Sequence, residues 1–197
     1  MPRRIDHDGR RRDVAEITCT LIASHGVEWA TVRRVAQAAR CSTKVVSHYF
    51  NNKHELLLFA YRASADSSRA RVNSVIERDP ADLQGCLEAL LPLDRPSLRD
   101  WQVWIAFWGM VVGDAKFERE HRRYIHTALQ LLVSAMTAKW GQRAFGGRKQ
   151  CEREARRLFA LLNGIAVQAV MDPKAVPSRV QRRWIAAEIH RLTPSHL

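Results

Sequence analysis

Thr43, Lys44, Ser47 and His48 are the residues whose types and spacing suggest chemistry. On a helix they fall within one side, because positions three and four apart are neighbours. Two hydroxyls, an ammonium and an imidazole offer hydrogen bonds and charge to base edges and phosphate oxygens, which is what reading a DNA major groove requires. The same spacing fits an ordinary helical hairpin with a solvated polar face, and these residues alone do not separate the two. Catalysis has less to build on. The eight histidines are scattered, His121 and His126 lie too far round a helix to share a face, and there is no Gly-rich phosphate loop or His-Glu-x-x-His pair. Cys41 as a nucleophile would have to act from a turn. Cys19, Cys41, Cys86 and Cys151 are widely separated and fit no zinc spacing. No enzyme, metal or cofactor is expected.

The four polar residues need a scaffold, and residues 31–53 supply it. Thr31 can cap a short helix by accepting a bond from an orphan backbone N–H. Val32, Val35, Ala36 and Ala39 then recur on one face. Ser42 can cap a second short helix, whose buried side is Val45, Val46, Tyr49 and Phe50. Ahead of this pair, Val14, Ile17, Thr18, Leu21 and Ile22 make a one-stripe helix that Gly26 can close in a left-handed cap. After it, a helix from residue 53 to about 77 turns Leu56, Leu57, Ala60 and Ala63 inward and stops at Asp79-Pro80.

The rest of the chain keeps the helical period. Leu83, Leu87, Leu90 and Leu91 make a short helix before Pro92, and residues 93–97, with Pro96, read as a loop. Helices follow at about 98–112, 115–140, 152–170 and 178–191, separated by Gly113-Asp114, the loop 142–149 and a turn marked by Pro173 and Pro177. No period-two run and no internal repeat is present. The expectation is an all-α chain of nine helices: an N-terminal helix-turn-helix three-helix domain, residues 1–52, and a six-helix regulatory and dimerisation domain, residues 53–197.

Composition agrees with a polyanionic partner. Lys plus Arg number 32 against 20 Asp plus Glu, a net charge of +12. Residues 1–53 hold ten Lys/Arg and five Asp/Glu, so the first quarter carries +5 and the remaining 144 residues +7. Residues 1–12, with Arg3, Arg4, Arg10, Arg11 and Arg12 beside Asp6 and Asp8, read as an arm for phosphates or the minor groove, or as a solvated tail. The polar start offers no secretory signal, and no run approaches the roughly 18–20 apolar residues of a membrane span. With unpaired cysteines, these features suggest a reduced, cytoplasmic protein that meets no membrane.

The pattern T-V-x-x-V-A-x-x-A at residues 31–39 and S-T-K-V-V-S-H-Y-F-x-x-K at 42–53, behind a helix ending in Gly26, resembles the DNA-binding domain of the TetR family of bacterial repressors. The match spans about residues 10–60. W-x-x-W-I-A-F-W at 101–108 and E-A-R-R-L-x-A-L-x-N-G at 154–164 are similar to the C-terminal region of the BetI-type branch. The resemblance implies a homodimeric, nucleoid-associated regulator whose two heads enter successive major grooves of a palindromic operator, with recognition helices roughly 34–36 Å apart or a multiple of one turn. By position it gives Thr43, Lys44 and Val45 to base reading and Thr31, Ser42, Ser47, Tyr49 and Lys53 to phosphates, with His48 as an added phosphate donor. There are two departures. Arg40 stands where the family's turn usually has glycine, and would cost about 1 kcal/mol more if left-handed. Ser47 stands where many relatives have tyrosine.

The resemblance also implies an effector pocket enclosed by the fourth to seventh helices and a four-helix dimer interface from the last two. Trp101, Trp104, Trp108, His121 and Tyr124 are the pocket candidates, able to surround a small molecule and to hold a quaternary ammonium by cation–π contacts. Aromatics at this spacing are more often plain core, and the betaine-type effector of the namesake is a suggestion only. Leu158, Leu161, Leu162, Ile165, Ala169, Trp184 and Ile185 are the interface candidates. The rival function is a sequence-nonspecific or effector-independent DNA-binding protein, which a specificity ratio distinguishes.

Overall fold

A computed structural model describes the backbone of residues 7–193 and the side chains of residues 9–193. Among the described residues there are nine α-helices and no strand: α1 (His7–His25), α2 (Val32–Ala38), α3 (Thr43–Tyr49), α4 (Lys53–Arg78), α5 (Leu83–Glu88), α6 (Arg95–Gly113), α7 (Ala115–Trp140), α8 (Arg148–Met171) and α9 (Ser178–Leu192), with a 3-10 turn at Val27–Trp29. Of the expected arm, residues 1–6 lie outside the described residues. Arg10, Arg11 and Arg12 are helical, because α1 starts at His7.

Two helices begin earlier than periodicity suggests. Pro96 does not hold residues 93–97 in a loop. It occupies the first turn of α6, where its missing N–H is one that has no partner in any helix. Asp94 caps that turn, with Ser97 donating from its backbone N–H to Oδ1 at 2.8 Å. The α8 helix likewise starts at Arg148 instead of 152, since Gly146 and Gly147 at φ 72° and 119° complete the turn and leave residues 148–151 helical.

The chain divides into two compact units. The first holds the described residues up to Asp66 with Gln102–Glu118, and the second holds Ser67–Trp101 with the described residues from Arg119. The boundary anticipated at residue 52/53 coincides with the start of α4, whose first part, to Asp66, belongs to the first unit. Phe107 and Phe117 explain why part of the C-terminal half joins the first unit. They stack on each other at 5.1 Å and meet Tyr61 edge-on at 5.3 and 5.8 Å, all three rings being buried.

The core of the helix-turn-helix is small: Val14, Val35, Ala36, Val46, Phe50 and Leu56, flanked by Leu21, Val32, Cys41, Tyr49 and Phe59. Arg11 covers it. Its guanidinium lies 4.4 Å from the Phe59 ring centroid and 5.2 Å from that of Phe50, and it donates to Glu55 at 3.1 Å. Glu55 in turn accepts from the Asn51 backbone N–H at 3.0 Å, which ties the end of α3 to the start of α4.

The second unit is organised on longer helices, with Leu83, Leu87, Leu91, Leu132, Met136, Leu158, Leu162 and Ile185 all buried. Within it Asp100 is fully buried and accepts from Arg71 at 2.8 Å, while Arg71 also donates to Ser67, Ser68 and the Ala89 carbonyl. Burial pushes the Asp100 carboxyl above its usual range, and Arg71 opposes that shift.

Candidate nucleic-acid interface

Both capping residues do what their position dictates. Thr31 Oγ1 accepts from the Arg34 backbone N–H at 3.3 Å, and Ser42 Oγ accepts from that of Val45 at 3.4 Å. A hydroxyl that accepts in a cap keeps its own O–H as a donor, so both residues start their helices and can still offer a proton outward.

The turn between α2 and α3 is a Schellman motif. Cys41 N–H donates to the Ala36 carbonyl at 3.0 Å and Arg40 N–H to the Gln37 carbonyl at 3.1 Å. Arg40 has φ 50° and is the one non-glycine residue with positive φ among the described residues. The arginine is therefore strained by about 1 kcal/mol relative to glycine, as left-handed backbone predicts for that position. Cys41 follows it and packs its side chain against the core, as the residue after such a cap commonly does.

On α3, Val46 is buried and Phe50 just beyond it is 1 % exposed, so the helix is pinned along one side. Thr43, Lys44, Ser47 and His48 are exposed, whereas Val45 and Tyr49 are half-buried at the edges of that face. His48 and Tyr49 meet edge-on at 5.2 Å. At the base of α4, Lys53 reaches Glu28 Oε2 and the Glu28 carbonyl, both at 3.4 Å. With the Glu28 side chain 98 % exposed, the pair contributes little, about 0–1 kcal/mol, and a phosphate can replace the carboxylate at small cost.

Arg33 and Arg34, outside the residues expected to touch DNA, are both exposed in the first turn of α2. Arg34 lies with its guanidinium 3.8 Å from the Trp29 ring centroid, which limits the conformations open to it. A signal for them exists in the sequence. Cations near a helix N-terminus oppose the helix dipole, and acidic residues normally sit there. Neither α2 nor α3 has an acid in its first turn, and α2, α3 and α4 open on Arg33/Arg34, Lys44 and Lys53. Residues 27–53 hold five Lys/Arg against the single carboxylate Glu28. Three helix starts that carry cations and face solvent are suited to anions arranged as along a nucleic-acid backbone.

The residues considered for a ligand and for a dimer lie in different settings. Trp101, in the second unit, is 2 % exposed and its indole N–H donates to the Leu90 carbonyl at 2.7 Å, which makes it part of that unit's core. Trp104 is buried and Trp108 half-buried in the first unit; His121 and Tyr124 are half-buried in the second. Burial holds the His121 imidazole below its ordinary pKa. Of the interface candidates, Leu158, Leu162, Ile165, Ala169 and Ile185 are each 4 % exposed or less. They face their own core, and a buried side chain cannot also meet a partner. Leu161 and Trp184 are both 38 % exposed, and the outward apolar residue that the sequence reading passed over is Met171, at 65 %.

Comparison with known proteins agrees with this geometry. Residues 16–59 match the family model described as bacterial regulatory proteins, tetR family, and residues 80–194 match that of the BetI-type transcriptional repressor, C-terminal. The chain is 29% identical to the HTH-type transcriptional regulator PksA of Bacillus subtilis over 186 residues, 92% of this chain and 89% of that protein. The crystal structure of a transcriptional regulator from Rhodococcus sp. Rha1 superposes with a TM-score of 0.81 at 28% identity, covering 92% of this chain and 95% of that one. A transcriptional regulator from Saccharomonospora viridis, solved in complex with choline, has the same fold, with a TM-score of 0.81 at 20% identity over 93% of this chain and 96% of that one.

Proposed function

We propose, from the premise that this chain belongs to the TetR family of bacterial regulators with a BetI-type C-terminal region, a homodimeric repressor that leaves a palindromic operator when a small molecule binds. Chains of this family are DNA-binding transcriptional regulators, not enzymes. No described helix is long and apolar enough to cross a membrane.

The observation that carries the finer reading is the outward face of α3. Thr43, Lys44, Ser47 and His48 stand clear of a helix capped by Ser42 and anchored by the buried Val46 and Phe50. Thr43 and Lys44 read base edges, and Val45 meets a thymine methyl from the edge of the face. Thr31, Ser42, Ser47, His48, Tyr49 and Lys53, joined by Arg33 and Arg34, hold phosphates.

Dimerisation is assigned to α8 and α9 by their outward residues. Leu161, Met171 and Trp184 are the large apolar side chains exposed in the second unit, among the described residues. Gly164 lies between Leu161 and Met171 on α8, and a Cβ added there would meet nothing within 4 Å, so another helix has room to approach. Apolar surface left on two neighbouring helices is the usual mark of an association face.

Support for an effector is chemical. Trp108 is half-buried and can offer a ring face to a cation, worth about 0.5–2 kcal/mol, whereas Trp104 is enclosed in the core; the Saccharomonospora protein was solved with choline. An effector acts by preferring the dimer geometry that does not fit the operator, and a differential affinity of about 1–3 kcal/mol gives five- to 150-fold release.

Selection of bound fragments from random DNA, followed by titration of choline, glycine betaine and a wider metabolite panel against the winner, tests the whole reading. A palindrome preferred by about 10³-fold or more over random DNA supports a repressor. Binding to all fragments alike refutes it and leaves the nonspecific rival. A panel without effect on the bound operator removes the effector, and a Trp108 variant with unaltered response removes that ring from its site.

A further inference from the structure

The second unit contains a feature that operator reading does not use. Helices α7 and α8 leave an open groove with a volume of about 1650 Å3, lying wholly within residues 126–157. Arg143, Arg148, Lys149, Arg153, Arg156 and Arg157 line it, against a single lining carboxylate, Glu152. Six cations and one acid leave the lining at +5. Arg148 is satisfied by Glu152 at 2.8 Å and Arg157 reaches Glu154 at 3.7 Å. Arg153 bonds only the neutral side chain of Gln150. Arg143, Lys149 and Arg156 have no ion pair among the described residues. Lys149, Arg153 and Arg156 follow one another at four- and three-residue spacing, where like charges repel and destabilise a helix. The fold gains nothing from this arrangement, and a concave basic surface focuses its field on an incoming anion. Across from the cations, α7 contributes Leu129, Val133 and Thr137, so the groove is not uniformly polar.

We infer that this groove binds a small polyphosphate-bearing ligand, with its phosphates on Lys149, Arg153 and Arg156 and its body against Leu129 and Val133. Five of the six cations are arginines, whose forked donors match phosphate oxygens in pairs. The same groove of a second copy is a poor occupant, since two linings of six cations and one carboxylate repel each other. A concave seat with an apolar wall suits a compact ligand better than a duplex.

Calorimetric titration of the full chain with inorganic tripolyphosphate and with ATP, both without DNA, tests this. The DNA-reading face is itself basic, so three proteins are compared: the natural chain, Lys149→Ala/Arg156→Ala, and Arg34→Ala/Lys44→Ala. The groove variant is expected to bind about tenfold more weakly for each cation removed, and the other variant to bind as the natural chain does. Lys149 and Arg156 are exposed, so thermal unfolding should be unaltered; Ala138→Glu, which adds a negative charge to the lining and removes no cation, should weaken binding as well. ATP binding tighter than tripolyphosphate identifies a nucleotide, and equal binding an inorganic chain. Undiminished binding by the groove variant and Ala138→Glu, or loss confined to Arg34→Ala/Lys44→Ala, overturns the inference. So does displacement of bound tripolyphosphate by a short duplex from Arg34→Ala/Lys44→Ala, which would make the groove a nucleic-acid surface.

Discussion

The α3 and α8 helices use their surfaces in opposite ways. Seven residues long, α3 buries Val46 alone. Its position is set from outside, by the Ser42 cap, by Phe50 and by the turn at Arg40. Almost every outward position is thereby free for recognition. In α8, with 24 residues, eight are buried, and packing claims one side along its length before any partner is met. What remains outside is divided lengthwise, charged over its first turns and apolar near Leu161 and Met171. A short helix borrows stability and keeps its face; a long one keeps only the positions that its core did not take.

The sharpest way to break this contrast is to place one charge on either side of α8. Leu162 is 1 % exposed, so Leu162→Asp buries a carboxylate in the core and should cost more than about 4 kcal/mol, read as loss of cooperative unfolding near room temperature. At the neighbouring position, Leu161→Asp should leave the chain folded, with a melting temperature within a few degrees of the natural one when both are measured as monomers, and yield monomers in sedimentation. A dimer that survives Leu161→Asp would put the interface elsewhere.

On α3 the contrast predicts loss of recognition without loss of fold. Lys44→Ala should relax sequence preference by about 1–3 kcal/mol at one operator position and leave thermal unfolding unaltered. Lys53→Ala should weaken every site alike and reduce the salt slope by about one. Footprints identical to the natural protein's would take both residues out of the interface.

If α3 depends on its cap, Ser42→Ala should destabilise the helix-turn-helix by about 1 kcal/mol, seen as faster amide exchange in α3 before any change in the second unit. A smaller effect concerns pH. Burial lowers the His121 pKa below 6.5, so the unfolded chain takes up the proton first as pH falls. The stability that neutral His121 contributes is complete above about pH 6.5 and is lost progressively below it. Natural protein should lose thermal stability between pH 7 and 5 to a greater extent than His121→Asn; parallel curves would show that His121 is not responsible.

Recognition was legible in the sequence where the signal was local. Thr31 and Ser42 announce their helices because a side-chain oxygen before an apolar run has a nearby N–H to accept from, and Gly26 announces a turn by its place after one, whereas Arg40 is visible only as a departure from the family's turn. Which side of α8 faces outward was not legible for the opposite reason. With apolar residues on most of α8, periodicity identifies a helix but not which apolar side faces in, so Leu158, Leu162, Ile165, Ala169 and, on α9, Ile185 were assigned outward when their own core claims them. Pro96 and the Gly146-Gly147 pair misled in a third way. Residues that stop a helix also start one, and only the Asp94 cap and the observed dihedrals say which happens. Arg33 and Arg34 were readable in principle, as charges at the wrong end of a helix.

The left-handed arginine at position 40 has a dynamic consequence. A strain of about 1 kcal/mol confined to the α2–α3 turn is released when that turn opens, so opening becomes roughly fivefold more frequent than with glycine there, with no contact in the core weakened. The reading helix is thus attached through a joint that yields earlier than its surroundings. If α3 enters a groove as proposed, such a joint would let it adjust its pitch there, and tolerance of sequence variation would trace to one backbone angle.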